Sequence, residues 1–383
     1  MEFNGYPRKN GVGIRNYVGV MATVGCSADV VQKIAQLNPE VKPIVHHQGC
    51  AQTPPDILNV ENVLINLALN PNLFSVLLVN LGCESTSLEK IADAISKVKD
   101  VKTVTVEERG MSEAVSKGLQ IVKKMCTESK KVKRKKFDLS ELKLAIKCGA
   151  SDTTSGIVSN PVAGRVADMI VELGGTVVFG ETTELIGAEH ILAGRAVSRE
   201  VADKLYSTVS AIEKRAMSMG VDMRGGQPTW GNIRGGITTI EEKSLGAICK
   251  TGSSKLIDVI DYGDRVTKKG LIFMDGPGRE LEALTGFAAG GSQIMLFSTG
   301  SGAPQGFPIV PVIKASGNPV ACSNLSEHID ADLSSVFFGY ETIDSAAKKV
   351  LNQIIDVSSG KLTKAEILGY DGNFDIYCRG PVL

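Results

Sequence analysis

No stretch of this sequence is apolar for long enough to cross a membrane as a helix, which sets aside helical membrane proteins. An excess of one charge is also missing. The 42 basic and 42 acidic residues balance, so no overall field draws the chain to nucleic acid or to an anionic lipid surface. The first residues, Met-Glu-Phe-Asn-Gly-Tyr, are acidic and polar, unlike a secretory signal, and the cytoplasm is the expected compartment. Histidine is scarce at four residues and tryptophan occurs once. No phosphate-binding Gly-x-x-x-x-Gly-Lys-Ser/Thr loop occurs, and no full dinucleotide fingerprint follows an early strand. ATP and NAD are therefore poor ligand candidates. What the 383 residues do have is 43% apolar and 22% charged content, ordinary for a globular chain with room for two domains.

Eight cysteines in a chain of this size do not suggest a disulfide scaffold. Cys26, Cys50 and Cys83 each follow a glycine, and Cys148 precedes one. Thiols at turns are candidate ligands or reactive groups. Small buried side chains in tight turns are the competing reading.

The pattern of apolar residues predicts an α/β fold. Strand-like runs over residues 17–24, 41–46, 74–81 and 101–106 alternate with helical spacing over 28–37, 56–69, 88–98 and 112–125. Repeated βα units imply a parallel sheet. A first α/β domain is expected over 1–128, to which the family resemblance described below adds dimerisation. A basic linker follows over 129–138, where Lys130, Lys131, Lys133, Arg134, Lys135 and Lys136 cluster without aromatic interleaving. A second, Rossmann-like domain with a mostly parallel sheet is expected over 139–383. The Gly/Pro-rich residues 224–236 hold Trp230 and read as a functional loop or docking segment.

Ligands of open parallel sheets bind outside the carboxyl ends of the strands, so the residues just after strands carry the information. Here they are Cys26, His47 with Cys50, Cys83 with Glu84, Cys148 with Asp152, Glu181, Asp275, and Thr299 with Ser301. The richest cluster runs from Glu181 through Glu184 and Glu189 to His190. Its carboxylates and imidazole suit a divalent metal, or alternatively favour the dipole at a helix N-terminus. His328 reads as an ordinary hydrogen-bonded residue. The turn at residues 298–302, Ser-Thr-Gly-Ser-Gly, suits a substrate carboxylate better than a nucleotide.

The same segments resemble the altronate and galactarate dehydratase family, which includes the large subunit of sulfolactate sulfo-lyase. The resemblance rests on Gly-Ile-Arg-Asn (13–16), Leu-Gly-Cys-Glu (81–84), Cys-Gly-Ala-Ser-Asp (148–152) and Ser155-Gly156. It continues through Glu-Thr-Thr-Glu (181–184), Gly-Ala-Glu-His (187–190), Ala-Val-Ser-Arg-Glu (196–200), residues 235–247, Phe-Met-Asp-Gly-Pro-Gly (273–278) and Leu-Gly-Tyr (368–370). Two stretches depart from the family pattern. Phe307-Pro308 stands where bacterial dehydratases carry a cysteine, and residues 330–335, Asp-Ala-Asp-Leu-Ser-Ser, replace an Asp-Ile-Asn-Cys-Gly-Asp stretch.

The resemblance implies a lyase that needs a divalent metal, usually Fe2+, and reducing conditions, with a crossover and a seven-stranded parallel sheet in its Rossmann-like domain. Mn2+ and an iron–sulfur cluster stay open as alternatives. It also implies a separately encoded small β-clip (SAF-type) subunit, since fused members carry that module before the first motif, and a homo-oligomer. Dehydration of a sugar acid such as altronate is the expected reaction. Release of sulfite from sulfolactate is the alternative, and a non-catalytic partner-binding protein is the reading from another class. His190 or His47 is the expected base. Glu181, Glu184 and Asp275 are the expected metal ligands, with Cys26, Cys50 and Cys83 as a rival set. Arg15, Ser151, Asp152, Thr299, Ser301 and Lys314 are expected to contact substrate.

Overall fold

The structure is a computed structural model that describes residues 1–372 and 374–383. Two strands, β1 (Glu2–Arg8) and β2 (Gly11–Gly13), open it as an antiparallel pair. Next come β3 (Tyr17–Ala22), β4 (Val41–Ile44), β5 (Leu73–Asn80) and β6 (Val101–Thr105). All pair in parallel, in the order β4-β3-β5-β6. These are the four expected strands. The run Leu-Phe-Ser-Val-Leu-Leu-Val-Asn of β5 is central because it is apolar toward both faces.

The basic stretch expected as a solvated linker is partly a strand. β7 (Lys135–Asp138) pairs antiparallel with β1, Glu2 opposite Asp138. Lys135 and Lys136 are both exposed, while Phe137 packs beside Phe3. Charge density masked this short strand.

The second sheet has seven strands, all parallel: β8 (Lys143–Gly149), β9 (Thr176–Phe179), β10 (Leu256–Ile260), β11 (Gly270–Met274), β12 (Ile294–Thr299), β13 (Val312–Ser316) and β14 (Ala331–Asp332). Their order is β10-β11-β9-β8-β12-β13-β14. The chain is thus mixed α/β with a seven-stranded parallel sheet. The helices Asn160–Glu172 and Ile343–Ser358 cover one face, where Val166, Ile170, Val350 and Ile354 join Leu144, Ile146 and Leu296 in one buried cluster. On the other face, helix Glu280–Ala289 packs on helix Pro54–Ala68 of the first sheet. Val60, Leu64, Leu78, Leu284, Phe287 and Phe297 share that core. Burial of this interface by large apolar side chains, at about 25 cal/mol per Å2, holds the two sheets together.

Buried polar side chains fix the register of this contact. Asn72 donates to the carbonyls of Gln293 and Ile309 at 2.8 and 2.9 Å, and its own oxygen accepts from the Ile14 amide. Arg15, expected at the substrate, lies here instead. Its guanidinium forms a fork with Glu366, 2.8 Å on both sides, and also donates to the carbonyls of Val357 and Lys361. The side chains are 5% and 7% exposed, which leaves no donor for a ligand. Arg15→Lys keeps the charge but loses the planar fork. It is expected to cost about 1.5–3 kcal/mol in a denaturant titration while leaving KM unchanged.

No helix among the described residues is long and apolar enough to cross a membrane.

Candidate active site

The strand order reverses beside β8, which has β9 on one side and β12 on the other. Open parallel sheets leave a crevice at such a point. Here it is framed by the turn after β8 and the turn after β12, joined by the Ser301 amide donating to the Ala150 carbonyl at 2.9 Å. Asp152 fills the junction. It accepts from the Thr154 hydroxyl at 2.6 Å, the Ser155 amide at 3.0 Å and the Asn318 amide group at 2.8 Å. Gly300 is required opposite it, because a Cβ there would stand 2.3 Å from the Asp152 carboxyl carbon. The Thr299 hydroxyl accepts from the Gly302 and Ala303 amides, so it shapes the turn, while Ser301 is exposed.

Among the described residues, three that are not glycine have positive φ: Ala51 at 51°, Ala150 at 49° and Glu181 at 73°. All three lie in turns following parallel strands, β4, β8 and β9. Such backbone costs about 1–3 kcal/mol per residue, and strain of this kind collects at functional sites.

Glu181 and Glu184 stand under this rim in a buried ion network. Lys147 reaches one oxygen of Glu181 at 2.6 Å, and Lys250 reaches the other at 2.6 Å. Lys250 also bonds Glu184 at 2.7 Å, and Lys243 lies 3.9 Å from that carboxylate. The Cys148 amide donates to Glu181 as well. Burial works against the Lys250 ammonium, but Glu181 and Glu184 outweigh it and raise its pKa. Burial likewise opposes Glu184, yet Lys250 and Lys243 hold its carboxyl below the usual range. Burial and the neighbouring Glu184 push Glu181 upward, against two ammonium groups at charge-assisted distance.

The acidic metal set does not assemble. The oxygens of Glu181 and Glu184 are taken by lysines, and Asp275 accepts from the Thr182 hydroxyl at 2.6 Å and pairs with Arg379. Among the described residues, no three His, Cys, Asp or Glu side chains converge tightly enough for one ion. The expectation failed because the carboxylates were counted without their cations, and a buried carboxylate takes the nearest ammonium.

Beside β8 lies a cavity of about 330 Å3 with Cys148, Ser151, Asn160 and Lys243 in its wall. Ile157, Ile237, Leu245 and Ala247 make much of the remainder. Burial and the nearby Glu184 push the Cys148 thiol up to about 11. Asn160 donates to the Gly246 carbonyl, while its buried oxygen has no partner.

The second functional region is the meeting of the two sheet rims. His47, after β4, is 71% exposed, with Nδ1 3.4 Å from Asp375 in the C-terminal tail. Its Nε2 lies 3.0 Å from the Gln48 amide nitrogen. Since an amide nitrogen only donates, Nε2 is the acceptor and Nδ1 carries the proton toward Asp375. The other Asp375 oxygen is 3.9 Å from Arg279, which follows β11. Asp375 thus bridges a loop of one sheet to a loop of the other. His190 is exposed on the short helix Glu189–Ala193, and its ring has no hydrogen-bond partner among the described residues. His328 is buried, 3.1 Å from the Gly302 carbonyl. Lys314 is buried too, donating to the Gln305 carbonyl at 3.3 Å, and burial lowers its pKa to about 8.

Comparison with known proteins decides the family. Residues 139–381 match the C-terminal domain of D-galactarate/altronate dehydratase, and residues 5–130 match the second domain of D-galactarate dehydratase/altronate hydrolase. The chain belongs to the galactarate/altronate dehydratase family. It is 33% identical to the altronate dehydratase of Bacillus subtilis, over 95% of this chain and 75% of that protein. It is 36% identical to subunit beta of the (2R)-sulfolactate sulfo-lyase of Chromohalobacter salexigens, over 96% and 95%. The galactarate dehydratase (L-threo-forming) of Escherichia coli is 32% identical, over 99% and 77%. These relatives are lyases, and a lyase is what this chain is.

Within this dehydratase-family chain, the residues missed in the sequence are mostly lysines and the tail. Lys147 and Lys250 are strand and helix-end residues without a motif, and Asp375 lies far from every cluster. One signal was available. Lys147 interrupts the apolar run Leu-Ala-Ile-Lys-Cys of β8, and a charge inside a buried strand needs a partner.

Proposed function

We propose that this chain is a hydro-lyase that dehydrates a sugar acid such as altronate to a 2-keto-3-deoxy acid, with the reaction at the meeting of the two rims. The observation that carries the placement is His47–Asp375–Arg279: an imidazole 3.4 Å from one oxygen of a carboxylate and a guanidinium 3.9 Å from the other, the guanidinium also pairing with Glu282 at 3.1 Å. Arg279 is assigned to the substrate carboxylate, where its planar fork suits two oxygens. His47 Nε2 takes the proton from C2, and the electrons pass to the enediolate facing Arg279. The enediolate then expels the C3 hydroxyl, which leaves as water with the proton that His47 returns. The resulting enol tautomerises to the 2-keto acid. A sulfonate in place of the hydroxyl would leave as sulfite by the same steps. The coverage of the sulfolactate sulfo-lyase subunit supports that second reading.

The metal requirement of this reading does not rest on Glu181, Glu184 and Asp275, whose oxygens face cations. The relative named subunit beta belongs to a multi-subunit enzyme, and a small β-clip partner and a homo-oligomer remain part of the proposal. Trp230 is 72% exposed and Ile233 and Leu245 are 48% exposed, which makes residues 225–236 and their surroundings the proposed docking face.

Assay with altronate, galactarate and sulfolactate, under anaerobic conditions with Fe2+ and with the partner supplied, tests the activity. A 2-keto-3-deoxy product supports the first reading, free sulfite the second, and turnover of none overturns both. Arg279→Met is expected to raise KM roughly 10- to 100-fold, the loss of one charge-assisted contact, while Lys243→Met changes it little. The reverse pattern would move the substrate into the cavity beside Cys148.

A further inference from the structure

Of the eight cysteines, three are exposed: Cys26, Cys50 and Cys83. The others are buried or half-buried, as thiols usually are. The three exposed ones occupy the turns after β3, β4 and β5, three neighbouring strands. Backbone bonds stitch these turns together. The Gly25 amide donates to the Gln48 carbonyl at 2.9 Å, and the Ser85 amide donates to the Gly49 carbonyl at 3.0 Å. Thr23 donates to Glu84 at 2.8 Å, and the same carboxylate accepts from the Gly82 amide at 2.7 Å.

The glycine before each cysteine is a steric necessity. A Cβ at Gly25 would meet the His47 backbone at 2.9 Å, and one at Gly49 would meet the Thr23 carbonyl oxygen at 2.7 Å. Gly49 and Gly82 also have φ of +104° and +133°. Ala51, next to Cys50, holds φ +51° without that freedom. Strained backbone and close-packed glycines therefore present three thiols from three loops on one rim.

One ion would draw thiolate sulfurs to within about 4 Å of each other, given metal–sulfur bonds near 2.3 Å. The thiols are not so converged. A cluster spreads its thiolates over separate irons. We infer that Cys26, Cys50 and Cys83 are the protein ligands of an iron–sulfur cluster with one iron left without a thiolate, beside His47. Such an iron supplies Lewis acidity toward a hydroxyl or carboxylate oxygen. Each cysteine loses its proton on ligation. The inference concerns binding alone and holds whichever acid is eliminated.

The test uses the full chain, purified without oxygen, incubated with ferrous iron, sulfide and a thiol reductant, and desalted. Bound iron and acid-labile sulfide in comparable amounts are expected, with visible charge-transfer absorbance. Cys26→Ser, Cys50→Ser and Cys83→Ser should each lose most of that absorbance, whereas Cys126→Ser and Cys249→Ser keep it. Alkylation mapped by mass spectrometry provides a second readout on the unmutated chain. Cys26, Cys50 and Cys83 should react before reconstitution and be protected after it. Iron bound without sulfide, or all three cysteines still alkylated in the reconstituted protein, would overturn the cluster.

Discussion

Lys250→Met is expected to destabilise the fold by about 3–5 kcal/mol or more, read as a lower denaturant midpoint. The substitution nearly preserves side-chain length but leaves Glu181 with one cation and Glu184 with only the more distant Lys243. Glu181→Gln with Lys250→Met should recover part of the loss, because removing both partners is milder than stranding one. Full recovery of metal binding or catalysis is not the point of the double variant; recovery of the midpoint is. A midpoint unchanged by Lys250→Met would show that the carboxylates are held in another way. The same network sets a pH dependence. Glu184 has a depressed folded pKa, so its stabilisation is present above the ordinary value and is lost as pH falls through the lower folded value. Lys250 has a raised one, so its share is present below the ordinary lysine value and is lost only as pH rises through the higher folded value. The Glu184–Lys250 pair is therefore intact across the neutral range, with its weak side in acid.

His47→Gln is expected to lower kcat by about 10²- to 10⁴-fold, the usual worth of a positioned base, with little change in midpoint, since the ring is 71% exposed. Asp375→Asn should lower kcat less, because the imidazole remains and only its orientation and proton are disturbed. Its pH profile should shift relative to the unmutated enzyme, which loss of packing alone would not produce. His190→Gln is expected to stay within a few-fold. If His190→Gln carries the large loss and His47→Gln does not, the base is the other histidine and the rim assignment fails.

Much of the architecture was legible because its signals are local. Apolar runs such as residues 74–81 and 294–299 announce strands buried on both faces, and Gly-Cys or Gly-Ala turns mark their ends. The sheet β2-β1-β7 was not legible, since the pairing of Glu2–Arg8 with Lys135–Asp138 spans most of the first half of the chain and a short charged strand has little apolar pattern.

The functional residues divide along the same line. The sequence by itself determined that Cys26, Cys50, Cys83, His47, Ser151, Asp152 and Glu181 lie at strand ends, because a βα repeat places each post-strand turn on one rim. Which of those groups are free to act was decided by tertiary structure alone. Lys250 reaches Glu181 across 69 residues of sequence and Lys147 across 34, and Arg15 closes on Glu366 across 351. Ion-pair choice follows distance in space and the cost of stranding a buried charge, neither of which is written in spacing along the chain. The tail that brings Asp375 to His47 likewise acquires its role only when both sheets are packed and their rims meet.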